Sequence, residues 1–159
     1  MQESTNPLNW VELSTFSSNK NDIINGANNS YSSMRLFDQE ESATRVTLYR
    51  DNHAWCPYCQ KIWLWLELKK IPYQVRKVTM RCYGTKEQWY LKKVPSGMLP
   101  AIEIDKVLIT ESDQILLALQ SKFGNLGLSI KDPQIIYLRN LERKIFRAWC
   151  IWLCNPSLN

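Results

Sequence analysis

The sequence predicts an α/β domain with the element order β-α-β-α-β-β-α, followed by one long helix. A β-branched apolar run, RVTLY, comes shortly before a segment that begins CPYC and continues as a helix-forming run. Two further apolar runs are separated only by Asp105-Lys106, which is typical of two strands joined by a tight turn. Because these runs alternate with helical segments between Arg45 and Gly124, they favour one α/β domain.

The first half of this domain is predicted to hold two strands, each followed by a helix or turn. RVTLY has the composition of a strand, and the next helix has Pro57 at its first position, where a missing N–H costs nothing. PYQVRKVTM alternates polar and apolar residues, which predicts a second strand. GTKEQWYLKKV predicts a looser helix or a turn.

The second half is predicted to hold a hairpin and two helices. LPAIEIDKVLIT supplies the two strands, and ESDQILLALQSKFG predicts a helix capped by Ser or Glu that ends at Gly124. Asp132-Pro133 then marks the start of the long helix. Its apolar positions recur at helical spacing and are Leu138, Leu141, Ile145, Trp149 and Trp152.

Composition and charge narrow the class of protein. The chain has 159 residues, of which 45% are hydrophobic and seven are tryptophan, enough for a packed core. The net charge is +5, although residues 1–44 carry more acidic than basic side chains. The remaining basic residues are scattered without a nucleic-acid-binding motif, so we expect a solvated surface and no nucleic-acid partner. Charged residues interrupt the apolar C-terminal run, so no membrane partner is expected either.

The N-terminal region and the cysteines indicate a compartment. Residues 1–42 are rich in Ser and Asn without periodicity, so we expect a disordered extension. This region has no apolar signal segment and is too acidic for a transit peptide. The five cysteines do not have the spacing of a secreted disulfide framework. The expected compartment is therefore the reducing cytoplasm.

Cys56 and Cys59 form a C-x-x-C pair at the start of the first predicted helix. Unpaired backbone N–H groups and the positive end of the helix dipole favour a thiolate at Cys56. An ordinary thiol with a pKa of about 8.5 is roughly 3% ionised at pH 7, whereas a pKa of about 5.5 gives roughly 97%. Cys59 lies one turn further on and is the natural resolving thiol.

A zinc site is the alternative reading of the pair. It needs four ligands, which Cys150 and Cys154 or Cys82 and His53 would have to complete. We expect instead that the three later cysteines are small buried hydrophobic residues and that His53 is a loop residue. No metal cofactor is therefore expected.

The order of elements together with CPYC resembles the thioredoxin fold, and glutaredoxins share the CPYC motif. VPSGMLPAIEIDKVLITESDQIL is similar to the glutathione-binding half of glutathione S-transferases, where a strand begins at a cis-proline and a Glu-Ser pair opens the next helix. EQWYLKKVPSGMLP is similar to the omega class, and CPYCQKIWLWLELKKIPY with VTMRCYGTKEQWY resembles a branch associated with photosynthetic organisms. The similarity covers about residues 45–153.

The resemblance implies a glutathione pocket. A cis Pro100 would turn the backbone of Leu99 outward to pair with the cysteinyl part of glutathione. Glu111 and Ser112 would hold the γ-glutamyl end at a helix N-terminus. Without a ligand the same pair is simply a helix cap. Omega-like sequences have a lysine for the glycyl carboxylate five positions before the tryptophan, where this chain has Gly84, so Lys86 or Arg81 would have to replace it.

The resemblance also implies an activity. Cys56 would form a mixed disulfide with glutathione, the co-substrate, which favours thiol transfer or reductive deglutathionylation over conjugation. We therefore expect a glutathione-dependent thiol-disulfide oxidoreductase or transferase that acts on a small-molecule or protein disulfide or an electrophile. Two alternatives remain, an inactive binding module and a thioredoxin-like reductase that needs no glutathione. Glu111-Ser112 argues against the second.

The resemblance divides the chain into three parts. Residues 1–42 are the extension, 43–124 the thioredoxin-fold glutathione-binding domain, and 125–159 a linker with the start of an incomplete helical domain. The helix after CPYC is apolar all round, and such helices are normally buried. We expect its second side to contact the helical domain through Trp149 and Trp152. A homodimer or a separate helical-domain partner is expected to supply the remaining cover.

Overall fold

The computed structural model describes residues 32–155 and Asn9. Most of the predicted disordered extension therefore lies outside the described residues. The chain divides into two compact units, of which the first ends at Ser112 and the second begins at Asp113.

The first unit contains a five-stranded sheet and two helices. The strands are β1 (Met34–Arg35), β2 (Val46–Asp51), β3 (Tyr73–Val78), β4 (Ala101–Ile104) and β5 (Val107–Thr110), and the helices are α1 (Pro57–Lys69) and α2 (Gln88–Lys93). Short 3₁₀ turns cover Glu41–Ala43 and Arg81–Tyr83. The strand order across the sheet is β1-β3-β2-β4-β5. With α3 (Ser112–Phe123) after β5, the predicted order β-α-β-α-β-β-α of a thioredoxin-like fold is confirmed.

The register of the sheet brings several loops to one edge. β2 and β3 run parallel with Asp51 opposite Val78, so both strands end at this edge. β4 runs antiparallel to β2 and begins there, with Ala101 opposite Tyr49. β5 ends there, because Thr110 lies opposite Ala101. The segments after β2, β3 and β5 and the segment before β4 therefore meet at the same edge, which we call the β2 edge.

The predicted hairpin is confirmed. Asp105 and Lys106 have φ values of 51° and 68°, and they join β4 to β5 in two residues. Positive φ at both central residues matches the right-handed twist of the flanking strands. Arg45 also donates from Nε to Asp105 Oδ1 at 2.6 Å, which ties the hairpin to the start of β2.

The described end of the predicted extension is structured, so the expected boundary at residue 42 is too late. β1 pairs antiparallel with β3, with Met34 opposite Gln74. Ser32 and Leu36 on either side of this strand are buried. A two-residue strand between Ser-rich and acidic stretches has too few apolar positions to produce a periodic pattern.

Helix α1 has one buried and one exposed apolar side. Ile62 and Leu66 are fully buried and lie on the side of the helix that packs against β2. Leu64 and Leu68 lie one turn apart on the other side and are 56% and 68% exposed. Leu64 and Leu68 thus form the second apolar side expected from the sequence, and the partner predicted for it remains a prediction.

The second unit contains the rest of α3, from Asp113 onward, and α4 (Pro133–Cys154). Asp132 caps α4 by accepting a hydrogen bond from the Gln134 amide at 2.9 Å, which confirms the predicted helix start. Trp149 and Trp152 are about half exposed. Within the described part of the chain, no helix combines the length and apolarity needed to cross a membrane.

Candidate active site

The loop between β2 and α1 places Cys56 at the N-cap of the helix. Cys56 has extended backbone angles, and Pro57 occupies the first helical position. Its Sγ accepts a hydrogen bond from the backbone N–H of Cys59 at 3.4 Å. The loop is held by the Trp55 amide, which donates to Asp51 Oδ2 at 2.6 Å, and by Gln60, which donates to the Ala54 carbonyl. The sulfur thus lies where the free N–H groups of a helix favour negative charge.

These contacts lower the pKa of the Cys56 thiol to about 7. The largest cause is the hydrogen bond from the Cys59 side chain, and the backbone N–H groups of Cys59 and Tyr58 add to it, whereas burial and the Asp51 charge oppose it. About half of the thiol is then ionised at pH 7. The lowered pKa of Cys56 matches the direction predicted from the sequence. A pKa of about 7, however, ionises less of the thiol at pH 7 than the roughly 97% that a pKa of about 5.5 would give.

Cys59 differs from Cys56 in its burial and in the direction of its pKa shift. Its side chain is fully buried, whereas Cys56 is 8% exposed. The pKa of Cys59 is raised, first because its S–H donates to the Cys56 sulfur and then because burial disfavours a thiolate. The pair therefore consists of a reachable thiolate and a buried thiol that stabilises it.

Two buried charged residues at the end of β2 were missed by the sequence analysis. Asp51 and Arg50 are both fully buried. Arg50 donates from Nη1 to the Asp51 carbonyl at 2.6 Å, and its guanidinium lies 4.3 Å from the centre of the Trp63 ring. Charged residues at the end of a strand are usually exposed, so nothing in the sequence indicates that these two are buried. The side chains of Asp51, Cys56 and Cys59 converge.

The segment before β4 has the backbone geometry expected for a glutathione pocket. The Leu99–Pro100 peptide is cis, as the resemblance implied. Leu99 is half-buried and Pro100 is buried. Tyr90 donates from its hydroxyl to the Met98 carbonyl at 2.6 Å and holds this segment in place. The roles of Leu99 and Pro100 toward a ligand remain predictions.

Glu111 and Ser112 lie at the same edge of the sheet. They directly follow Thr110, whose partner Ala101 directly follows Pro100. Glu111 has a φ of 65°, a left-handed conformation that is uncommon outside glycine and clusters at ligand-binding sites. The Glu111 side chain is exposed, and Ser112 begins α3.

Lys86 reaches the β2 edge from the segment after β3. Its Nζ donates to the Thr79 carbonyl at 2.8 Å, and Thr79 follows the last residue of β3. Gly97, with a φ of 64°, leaves room for this side chain, because a Cβ there would lie 3.1 Å from Lys86 Cδ. All seven predicted site residues, Cys56, Cys59, Lys86, Leu99, Pro100, Glu111 and Ser112, thus belong to segments that meet at the β2 edge.

The other cysteines and the histidine do not match every expectation. All five cysteines are free thiols. Cys82 and Cys154 are exposed and Cys150 is half-buried, so the expectation that these three are buried was wrong. Cys82 lies on a short turn and Cys154 at a helix end, where composition says little about burial. His53 is a loop residue as expected, and its ring lies 4.8 Å from that of Tyr83.

Comparisons with known proteins agree with this geometry. Residues 55–122 match the family model described as glutathione S-transferase, N-terminal domain. Glutathione S-transferase DHAR2 of Arabidopsis thaliana is 31% identical over 104 residues, which are 65% of this chain and 46% of that protein. The chloroplastic DHAR3 of the same plant is 37% identical over 68 residues, 43% of this chain and 25% of that protein.

A solved structure supports the fold. Glutathione transferase Omega 1C from Trametes versicolor aligns with a TM-score of 0.56 and 23% identity over 69% of this chain and 52% of its own. The chain spans between a quarter and about half of the length of these relatives. The family match begins one residue before Cys56 and ends within α3, so it contains every predicted site residue. Residues 55–122, which include the C-P-Y-C sequence at Cys56–Cys59, are therefore similar to the N-terminal domain of glutathione S-transferases.

Proposed function

We propose that this protein is a glutathione-dependent thiol-disulfide oxidoreductase in which Cys56 is the nucleophile. The observation that carries the proposal is the reachable Cys56 sulfur at the start of α1, with its pKa lowered to about 7. A thiol that is half ionised at neutral pH attacks disulfides efficiently, because the thiolate is the nucleophile and remains basic enough to react.

The proposed reaction has two exchange steps. The Cys56 thiolate attacks the glutathionyl sulfur of a mixed disulfide, forms Cys56–S–S–glutathione and releases the other thiolate. A glutathione thiolate then attacks the glutathionyl sulfur of that adduct, which gives oxidised glutathione and regenerates the Cys56 thiolate. In a dithiol branch, Cys59 attacks Cys56 instead and forms an intramolecular disulfide with release of glutathione.

Residues of the β2 edge are proposed to hold glutathione. The Leu99 backbone, exposed by the cis Pro100, would pair with the cysteinyl unit. Glu111 would bind the γ-glutamyl ammonium, and Ser112 its carboxylate at the start of α3. Lys86 would bind the glycyl carboxylate, since its ammonium group retains donors beyond the bond to the Thr79 carbonyl.

The second unit and the compartment are further parts of the proposal. We assign residues 43–124, together with strand β1 before them, to the glutathione-binding domain, and α4 to the beginning of a helical domain, because the exposed Ile145, Trp149 and Trp152 need cover. A second copy of the chain or a helical-domain partner would supply it. A reducing compartment such as the cytoplasm suits free thiols, and similar proteins are named both cytosolic and chloroplastic.

Single cysteine variants test the proposal. With reduced glutathione and a small mixed disulfide as substrates, we expect Cys56→Ser to abolish turnover and Cys59→Ser to retain the monothiol route. Cys82→Ser is the matched control, because Cys82 is an exposed cysteine outside the pair. Turnover that survives Cys56→Ser would contradict the proposal. Glutathione binding without turnover in the unaltered chain would favour a binding module, and disulfide reduction without glutathione a thioredoxin-like reductase.

A further inference from the structure

The buried carboxylate of Asp51 lies beside the two thiols, and one of its oxygens has no hydrogen-bond partner among the described residues. One carboxylate oxygen and the two sulfur atoms of Cys56 and Cys59 all lie within 4.8 Å of one another, and all three side chains are buried. Asp51 Oδ2 accepts from the Trp55 amide, whereas Oδ1 has no hydrogen-bond partner among the described residues. Burying a carboxylate oxygen without a partner is costly, and a cation at this position would remove that cost.

We propose that the reduced form of this site binds Zn²⁺ through Asp51, Cys56 and Cys59. Two thiolates and a carboxylate are ligands that Zn²⁺ accepts, and three protein ligands leave a fourth position for water or a small thiol. Tetrahedral zinc places sulfur and oxygen ligands about 3.6–3.8 Å apart. Because the three ligand atoms already lie within 4.8 Å, shifts of about 1 Å bring them to this spacing.

The charges at the site can balance with a divalent ion bound. Arg50 is fully buried, donates to the Asp51 carbonyl and attracts the Asp51 carboxylate, whose charge it balances. Zn²⁺ replaces the protons of whichever thiols are protonated, and the two thiolates then balance its charge. The buried site takes up the metal without a change in net charge relative to two neutral thiols, so no new uncompensated charge is created.

The zinc site considered from the sequence needed four ligands, and only cysteine and histidine residues were weighed for them. A carboxylate from the end of the preceding strand was not considered, since Asp51 is separated from Cys56 by a loop. The fold places the Asp51 carboxylate close to the two cysteine sulfurs. Asp51 is buried, unlike the exposed carboxylates of the chain.

Zinc binding at this place would regulate the site, a consequence that rests on the proposed function. A Cys56 sulfur bound to Zn²⁺ cannot attack a disulfide, and a Cys56–Cys59 disulfide offers no thiolate to the metal. Oxidised glutathione would release the ion: the zinc-bound dithiolate is oxidised to the disulfide, glutathione disulfide is reduced to two thiolates, and Zn²⁺ is set free. Metal binding and thiol transfer would exclude each other.

Cadmium is the probe that tests the site directly. The reduced chain, with Cys82, Cys150 and Cys154 replaced by serine so that only the pair remains, is titrated with Cd²⁺ in the absence of glutathione. The sulfur-to-cadmium absorption band is expected to saturate at one Cd²⁺ per chain, and Zn²⁺ is expected to displace it. Asp51→Asn is expected to weaken Cd²⁺ binding about 10- to 100-fold. Replacing a residue that only hydrogen-bonds to a metal ligand already lowers metal affinity by about this factor. Asp105→Asn, a more exposed carboxylate, is the matched control and should leave the affinity unchanged.

Two results would overturn the inference. One is the lack of a saturable band, and the other is an Asp51→Asn chain that binds Cd²⁺ as tightly as its parent. If circular dichroism shows that Asp51→Asn is unfolded, alkylation of the unaltered chain decides: Zn²⁺ must protect Cys56, and alkylation of Cys56 at its metal-free rate overturns the site. Metal binding in a chain without thiol transfer would contradict the proposed function only, and the reverse pattern would contradict the metal site only.

Discussion

Replacing Cys59 separates the two causes that lower the pKa of Cys56. The Cys59 side-chain hydrogen bond is the largest of them, whereas the backbone N–H groups and burial act in opposite directions. Cys59→Ala removes the side-chain donor and leaves the backbone in place. Cys59→Ser keeps a donor, because its hydroxyl can replace the thiol. We therefore expect the Cys56 pKa to rise in Cys59→Ala and to stay close to its original value in Cys59→Ser.

The expected change in reactivity follows from the ionised fraction. With a pKa of about 7, half of Cys56 is thiolate at pH 7. A return to an ordinary pKa of about 8.5 leaves about 3%, a loss of roughly 16-fold. The more basic thiolate is intrinsically more reactive, by about fivefold for a Brønsted coefficient of about 0.45. The net rate at pH 7 should therefore fall about threefold, whereas above about pH 8 the Cys59→Ala protein should react faster than its parent.

The assay is the rate of Cys56 alkylation by iodoacetamide between pH 5 and 10, followed by peptide mass and with a chelator present. Because the folded thiol has a lowered pKa, the rate in the unaltered chain should rise with pH through about 7 and level off above it. Identical midpoints for the unaltered and Cys59→Ala chains, or no crossing of the two rate profiles at high pH, would refute the assignment of the hydrogen bond as the main cause.

Three further substitutions test the fold and the pocket. Glu111→Gly should raise the free energy of unfolding by about 0.5–1 kcal/mol by relieving the left-handed backbone, yet weaken glutathione binding measured by calorimetry; unchanged affinity would remove Glu111 from the pocket. Tyr73→Phe should cost about 1–3 kcal/mol in urea unfolding, because the buried Trp63 N–H donates to the Tyr73 hydroxyl; a neutral effect would mean that water replaces it. Leu66→Ala should cost about 2–5 kcal/mol and Leu68→Ala less than about 0.5 kcal/mol, and equal costs would contradict the two-sided description of α1.

Much of the fold was predictable because local chemistry and tertiary structure agree. Pro57 sets the start of α1 through its fixed backbone angle, and Asp132 sets the start of α4 through its side-chain cap. The turn at Asp105-Lys106 is marked by the two polar residues between apolar runs. The convergence of the candidate site was predictable only through the family resemblance. Residues as distant as Cys56 and Glu111 meet through the register of β2, β4 and β5, which no local pattern contains.

The features that sequence reasoning missed depend on burial. Arg50 and Asp51 are charged and so predict exposure, yet the fold buries both beside Trp63 and the cysteine pair. Strand β1 was missed because it is held by pairing with β3 and has no pattern of its own. In both cases the deciding interaction joins residues that are remote in sequence or atypical in character, so propensity and periodicity give no warning.

Cys56 is proposed to be a thiolate that exchanges with glutathione. The intact and peptide mass of the reduced chain, measured after exposure to oxidised glutathione at pH 7 with a chelator present, tests this directly. We expect a glutathione adduct on Cys56, or the Cys56–Cys59 disulfide that follows from it, with the adduct persisting in Cys59→Ser and discharged by reduced glutathione. An adduct on Cys82 or Cys154 with Cys56 unmodified would contradict it.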